Sequence, residues 1–193
     1  AQLRRQLPGR ATTASALMGK DVRMSHSIDA AELADALDVI AIGRLQARYG
    51  DIVSRQAWGE LDDIFLPDCP ISLDLRRGEP MQLVGATALA EMVAGAIERF
   101  EFFEFALLNS VIDVIDPDQG ESRTATGRLY MWELRQLSTG RWTNAYGLYC
   151  DTYVRHDGRW VIGARTYSSL ARTADAADGP GGHDYEVFPI PGI

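Results

Sequence analysis

Apolar and polar positions alternate most clearly over residues 144–170, NAYGLYCDTYVRHDGRWVIGARTYSSL. Asp157-Gly158 interrupts the run, and Asp-Gly between β-rich segments is a strong hairpin signal because both central turn positions need positive φ. The pattern predicts two long antiparallel strands. Asn144, Tyr146, Leu148, Cys150, Thr152 and Val154 fall on one face of the first, and Ala145, Gly147, Tyr149, Asp151, Tyr153 and Arg155 on the other. Large groups on both faces leave neither plainly solvent-facing. That pattern suits a curved sheet with helices on one side.

The periodicity upstream is helical. Leu33, Leu37, Ile40, Leu45 and Tyr49 recur at helix spacing after Asp29, with Glu32 completing a capping box. The spacing predicts a helix over 29–49, running on through Val53. Trp58, Leu61 and Phe65 form the stripe of a second helix, ended by Pro67 and Pro70. Ile71–Leu75 and Met81–Val84 read as a short hairpin. A third helix is predicted over 85–103, with Leu89, Met92, Val93, Ile97 and Phe100 on one face. Strands over 106–116 and 122–136 follow, turned at Asp118–Gly120 and Thr139-Gly140, before the terminal hairpin. Helices lead and strands follow, so the class is α+β: a cone-shaped curved antiparallel sheet packed on three N-terminal helices.

Composition changes this picture little. The 193 residues suffice for one domain, and 46% apolar with 24% charged residues is ordinary for a globular chain. A net charge of −8 argues against a nucleic-acid surface, and no apolar run reaches membrane-span length. Cys69 and Cys150 are too few for a disulfide framework. Residues 1–27 carry Arg4, Arg5, Arg10, Lys20 and Arg23 against the single acid Asp21, and read as a flexible extension. The cone domain is expected over 28–172. The tail, 173–193, has an Ala/Asp/Gly-rich linker and an apolar end, Tyr185–Pro191, expected to dock on the cone mouth or on a neighbouring subunit.

Three patterns carry a family resemblance: Arg48-Tyr49-Gly50-Asp51 followed by Trp58; Asn109-Ser110-Val111-Ile112-Asp113-Val114; and Gly147–Arg155 with Asp157–Ile162. Together with the element order, over about residues 31–170, the chain resembles the nuclear transport factor 2-like superfamily and its SnoaL-like branch. That branch includes polyketide cyclases, scytalone dehydratase, limonene epoxide hydrolase and lindane dehydrochlorinase. The resemblance implies a pocketed scaffold that needs no cofactor, and one scaffold hosts many functions.

It also implies that Asp51 matches the aspartate partnering a catalytic histidine in several of these enzymes, with Tyr49 beside it. A carboxylate that orients an imidazole makes a base for an acidic proton in a dry pocket. The matching histidine lies four residues before the asparagine aligned with Asn109, and here that position is Phe105. A phenyl ring takes no proton, so the usual dyad is absent. Among the three histidines, His26 lies in the N-terminal extension, His156 beside the hairpin turn and His183 in the tail. None has metal-ligand spacing. The substitute expected is an Asp51–Tyr49 pair, with Asp51 raised in pKa by burial. Glu101 or Glu104 is a weaker candidate base. Phe105, Asn109, Trp132, Tyr146 and Arg165 are candidate substrate-binding residues, with Arg128, Tyr130 and Asn144 as further polar groups on the long strands. Which of them face inward depends on sheet register.

Two functions follow. One is a cofactor-independent lyase or isomerase acting on a small apolar molecule by dehydration, cyclisation, isomerisation or epoxide opening. The other is a non-catalytic ligand-binding or assembly protein, such as the small subunit of a ring-hydroxylating dioxygenase. Either is expected in the cytoplasm as a homodimer or higher homo-oligomer, because long strands with large side chains on both faces need cover.

Overall fold

The computed structural model describes residues 29–116, 122–174 and 185–192. The N-terminal extension, the turn at Asp118–Gly120, His26 and His183 lie outside them. Helix α1, Ala30–Arg55, starts at the capping box: Glu32 N–H donates to Asp29 Oδ1 (2.8 Å), and Asp29 N–H donates to the Glu32 carboxylate (3.2 Å). Trp58–Asp63 forms a 3-10 helix where an α-helix was expected. Strands β1 (Pro70–Asp74) and β2 (Met81–Val84) form the predicted hairpin, and helix α2 spans Gly85–Ile97. Four long strands follow: β3 (Phe100–Ile115), β4 (Thr124–Leu137), β5 (Trp142–His156) and β6 (Arg159–Thr173). Strand β7, Tyr185–Val187, comes from the tail.

Helix α2 stops short of the predicted end, because the aromatic run from Phe100 joins the sheet. Phe102 lies opposite Gln136, Phe103 opposite Arg135 and Phe105 opposite Glu133. Aromatic side chains fit a pleated surface better than a helix end, and cross-strand pairing settles the ambiguity. The hairpin at Asp157-Gly158 forms as expected, with φ of 49° and 76° at its two central residues.

The strand order is β2-β1-β6-β5-β4-β3, with β7 added antiparallel beside β6 at Ala171–Thr173. The sheet is mixed where an antiparallel one was expected. Strand β1 runs parallel to β6, with Ile71 opposite Arg165 and Asp74 opposite Ser168. These strands are remote in sequence, so no turn chemistry records their relative direction. Register shifts at Leu107/Ser110, Tyr146/Gly147 and Thr152/Tyr153 bend the long strands. The curved sheet stays open.

Helix α1 packs its C-terminal half into the concave face through Ile42, Leu45, Tyr49, Ile52 and Val53. Fully burying one Ile contributes about 1.5–3 kcal/mol. The N-terminal half departs from the predicted stripe, since Leu33, Leu37 and Ile40 remain exposed. Among the described residues, no helix is long and apolar enough to cross a membrane.

Candidate active site

Alternation places Ala125, Leu129, Met131, Glu133 and Arg135 of β4 on the concave face, opposite Val114, Ser110, Leu107, Phe105 and Phe103 of β3. This face and α2 flank a partly open cavity of about 230 Å³. Leu89, Met92, Val93 and Ile97 of α2 form one wall and Leu73 and Leu75 another. Glu133, Tyr149, Tyr167 and Ser169 place polar atoms inside, and Arg77, Arg99, Phe100, Arg135 and Arg172 also line it.

Glu133 is held by Arg135, whose Nη2 lies 2.9 Å from Glu133 Oε2. The Glu133 side chain keeps 23% of its surface accessible. Burial holds its pKa above the usual carboxylate value, and Arg135 offsets only part of that rise. Tyr167 is pushed up by burial and then by the nearby Glu133 charge, while a hydrogen bond with Ser169 acts the other way. Tyr149 is pushed well above its ordinary value by burial. Both phenols therefore stay protonated donors over the working pH range. Gly147 makes room for the Tyr167 ring: a Cβ there would stand 2.2 Å from Tyr167 Cε2.

Behind the cavity wall lies an ion pair with no solvent exposure on either side chain. Arg165 Nε and Nη2 donate to the two Asp151 oxygens at 2.8 and 2.7 Å. Tyr153 Oη donates to Asp151 Oδ2 (3.0 Å), and Gln46 Nε2 donates to Tyr153 Oη (2.9 Å). The guanidinium sits 4.1 Å from the Tyr49 ring centre and 4.2 Å from that of Tyr149. Burial alone would lower the Arg165 pKa, but the Asp151 carboxylate and the surrounding aromatic groups hold it above its ordinary value. The stack fixes the Tyr149 ring at the cavity wall, and the Tyr49 and Tyr149 hydroxyls meet at 3.3 Å.

The expected site residues are dispersed. Tyr49 is buried, with its ring edge on Phe65, Phe105 and Tyr149, one layer behind the cavity. Asp51 is turned to solvent on α1, its side chain 59% exposed and bridged to Arg55 at 2.8 Å. The expected rise in its pKa is corrected: the Arg55 hydrogen bond lowers it, outweighing a small desolvation effect. One helical step of two residues separates Tyr49 and Asp51 by about 200°, so one faces the core and the other faces water. Asp51 borders a separate shallow hollow with Ser54, Glu104 and Phe105.

Phe105 is a core residue, 5% exposed. Asn109 falls in the β3 register shift and is exposed on the edge strand. Trp132 and Tyr146 point to the convex face, opposite the cavity. Trp132 Nε1 donates to Asn144 Oδ1 there (2.8 Å), and the Tyr146 ring meets that of Tyr185 of the tail at a tilt, 6.2 Å between centres. Arg165 is locked in the buried pair. The tail docks on its own sheet: Asn144 Nδ2 lies 3.1 Å from Tyr185 Oη, and Glu186 accepts from Arg172 at 2.7 Å.

The carboxylate inside the cavity, Glu133, was not among the expected residues. Its signal is the two-residue step Leu129, Met131, Glu133, Arg135, in which an inward apolar stripe ends in an acid and a base. Among the described residues, no three His, Cys, Asp or Glu side chains group as metal ligands.

A family model described as a SnoaL-like domain matches residues 34–166. No protein of curated function matches by sequence. Among solved structures, a hexachlorocyclohexane dehydrochlorinase (LinA type 2) superposes with a TM-score of 0.62 at 17% identity, covering 84% of this chain and 99% of that one. A provisionally assigned scytalone dehydratase from Novosphingobium aromaticivorans superposes at 0.59 and 23% identity, covering 72% and 88%. A provisionally assigned aromatic ring hydroxylase from the same organism gives 0.57 at 21% identity, covering 70% and 90%. At these identities the likeness is one of fold.

Proposed function

The chain belongs to the SnoaL-like domain family, and on that premise we propose that it is a cofactor-independent, lyase-type enzyme that moves a proton on a small apolar molecule in the cavity beneath α2, with Glu133 as the acid–base group. The observation that carries the reading is the pairing of Glu133 directly across the strand from Phe105. Phe105 occupies the position at which the resemblance implies a histidine. The proton-transferring group is then displaced by one strand, onto the same concave face. Solved neighbours named as a dehydrochlorinase and a dehydratase share the scaffold, and both names denote eliminations, which require removal of a proton.

The roles follow from position. A carboxylate whose pKa burial has raised is a stronger base than an exposed one, and below that value a competent acid. Arg135 orients it and limits the rise. The Tyr149 and Tyr167 hydroxyls line the same cavity and can donate to an oxyanion or a leaving group. Tyr49, one layer behind the cavity, acts on the site through its contact with Tyr149.

A second reading keeps the cavity and drops the chemistry: a ligand-binding protein of the same fold. Phe105 in the histidine position favours it. A substrate-independent probe separates the two. In 5-nitrobenzisoxazole a base removes the C3 proton, the C–H electrons complete a nitrile as the N–O bond breaks, and the ring opens to a coloured cyanonitrophenolate. Wild-type protein should accelerate this opening beyond free acetate, and Glu133→Gln should lose about 10²-fold or more of that rate. Equal rates for the two proteins would discard the enzyme reading and leave the binding one.

A further inference from the structure

We propose that the cavity is built for an organic anion: a small aromatic or alicyclic acid whose carboxylate sits among the arginines at the Phe100 end while its apolar body lies along α2. This rests on the cavity being the functional site and adds the ligand's charge.

The distribution of charge carries the argument. The whole chain has a net charge of −8, yet four arginines and one glutamate line this cavity. An acidic protein that gathers cations around one apolar hollow focuses a positive potential there. The cations do not all serve to neutralise acids. Arg172 is bound to Glu186 and to the Leu75 carbonyl, each at 2.7 Å. Arg135 gives a single nitrogen, Nη2, to Glu133, and the Nε on the same edge is buried without a hydrogen-bond partner. A buried donor left unpaired is costly, and a guanidinium edge is matched to a carboxylate. Arg99 makes no ion pair among the described residues. It and Arg135 flank the Phe100 ring, with guanidinium carbons 4.9 and 5.4 Å from its centre. Two cations held on one aromatic plate, one of them with its Nε buried and unpaired, form an anion-binding corner. The apolar wall of Leu89, Met92 and Val93 requires the rest of the ligand to be hydrocarbon.

The test is calorimetric titration of the full chain with 2-naphthoate and with 2-naphthamide, a neutral compound of nearly the same shape. Naphthoate should bind at least about tenfold tighter, with affinity falling as salt is added. Arg99→Gln should weaken naphthoate several-fold and leave naphthamide unchanged. Glu133→Gln, which removes the competing carboxylate from Arg135, should strengthen naphthoate. Met92→Trp, with its fold checked by circular dichroism, should block both ligands. Equal binding of acid and amide, both blocked by Met92→Trp, would overturn the anion proposal and leave the cavity as the site. Binding of naphthoate that survives Met92→Trp would overturn it as a surface ion effect. Binding of neither compound would remove both the anion proposal and the cavity beneath it.

Discussion

Replacing Asp151 by Asn leaves the shape of the core intact and removes the charge opposing Arg165. The two side chains have no exposure, so water cannot compensate. The introduced amide would retain one acceptor for the guanidinium, but its N–H₂ would face donors where Asp151 Oδ2 now accepts from Arg165 and Tyr153. Arg165 Nη1 already lacks a hydrogen-bond partner, which leaves no spare acceptor to take over. Breaking one side of a buried pair costs about 3–5 kcal/mol. A domain of this size shifts its midpoint by about 2–4 °C per kcal/mol, so the melting temperature should fall by about 6–20 °C. The double variant Asp151→Leu with Arg165→Met should recover most of the loss, because it removes the pair's desolvation cost along with its attraction. Urea denaturation followed by circular dichroism measures all three proteins. A loss below about 1 kcal/mol for Asp151→Asn, or a double variant as unstable as the single one, would refute the account of the core.

Other consequences are equally direct. Glu133 has a raised pKa in the folded chain, so the fold binds its proton more tightly than the unfolded chain does; stability from this group is present in acid and is lost as pH climbs from the unfolded value, about 4.3, through the raised one. Wild type should therefore lose stability relative to Glu133→Gln as pH rises from about 4.3 through the raised value in paired urea titrations, and a constant difference would contradict the assignment. Gly147→Ala should force the Tyr167 ring aside and destabilise by about 1–3 kcal/mol or more, with naphthoate binding lost at temperatures where the fold persists. Asp51→Asn should leave both the thermal midpoint and benzisoxazole opening within error of wild type, since its carboxylate is bridged to Arg55 at the exposed surface. Tyr185→Ala should cost about 1 kcal/mol through the lost Asn144 hydrogen bond and Tyr146 contact, and limited proteolysis should then cut the tail sooner.

Local chemistry was legible in the residues themselves. The Asp29–Glu32 capping box, the Asp157-Gly158 turn and the long alternating strands are short-range codes, and each appears where its residues predict it. Their order was enough for an α+β curved sheet and for the family. The site was not legible in the same way. Alternation shows which residues share a face, but it does not say which face meets α2, so Trp132 and Tyr146 were expected at the site and Glu133 was not, and packing against α2 reversed that. The Phe100–Phe105 run fits a helix or a strand equally until β4 pairs with it. Arg165 and Asp151 are 14 residues apart on neighbouring strands, and only the fold brings them together between two tyrosine rings. Backbone preferences act over a few residues and are written in the sequence. A cavity is the space left between elements distant along the chain, so its lining and its charge are decided by tertiary packing.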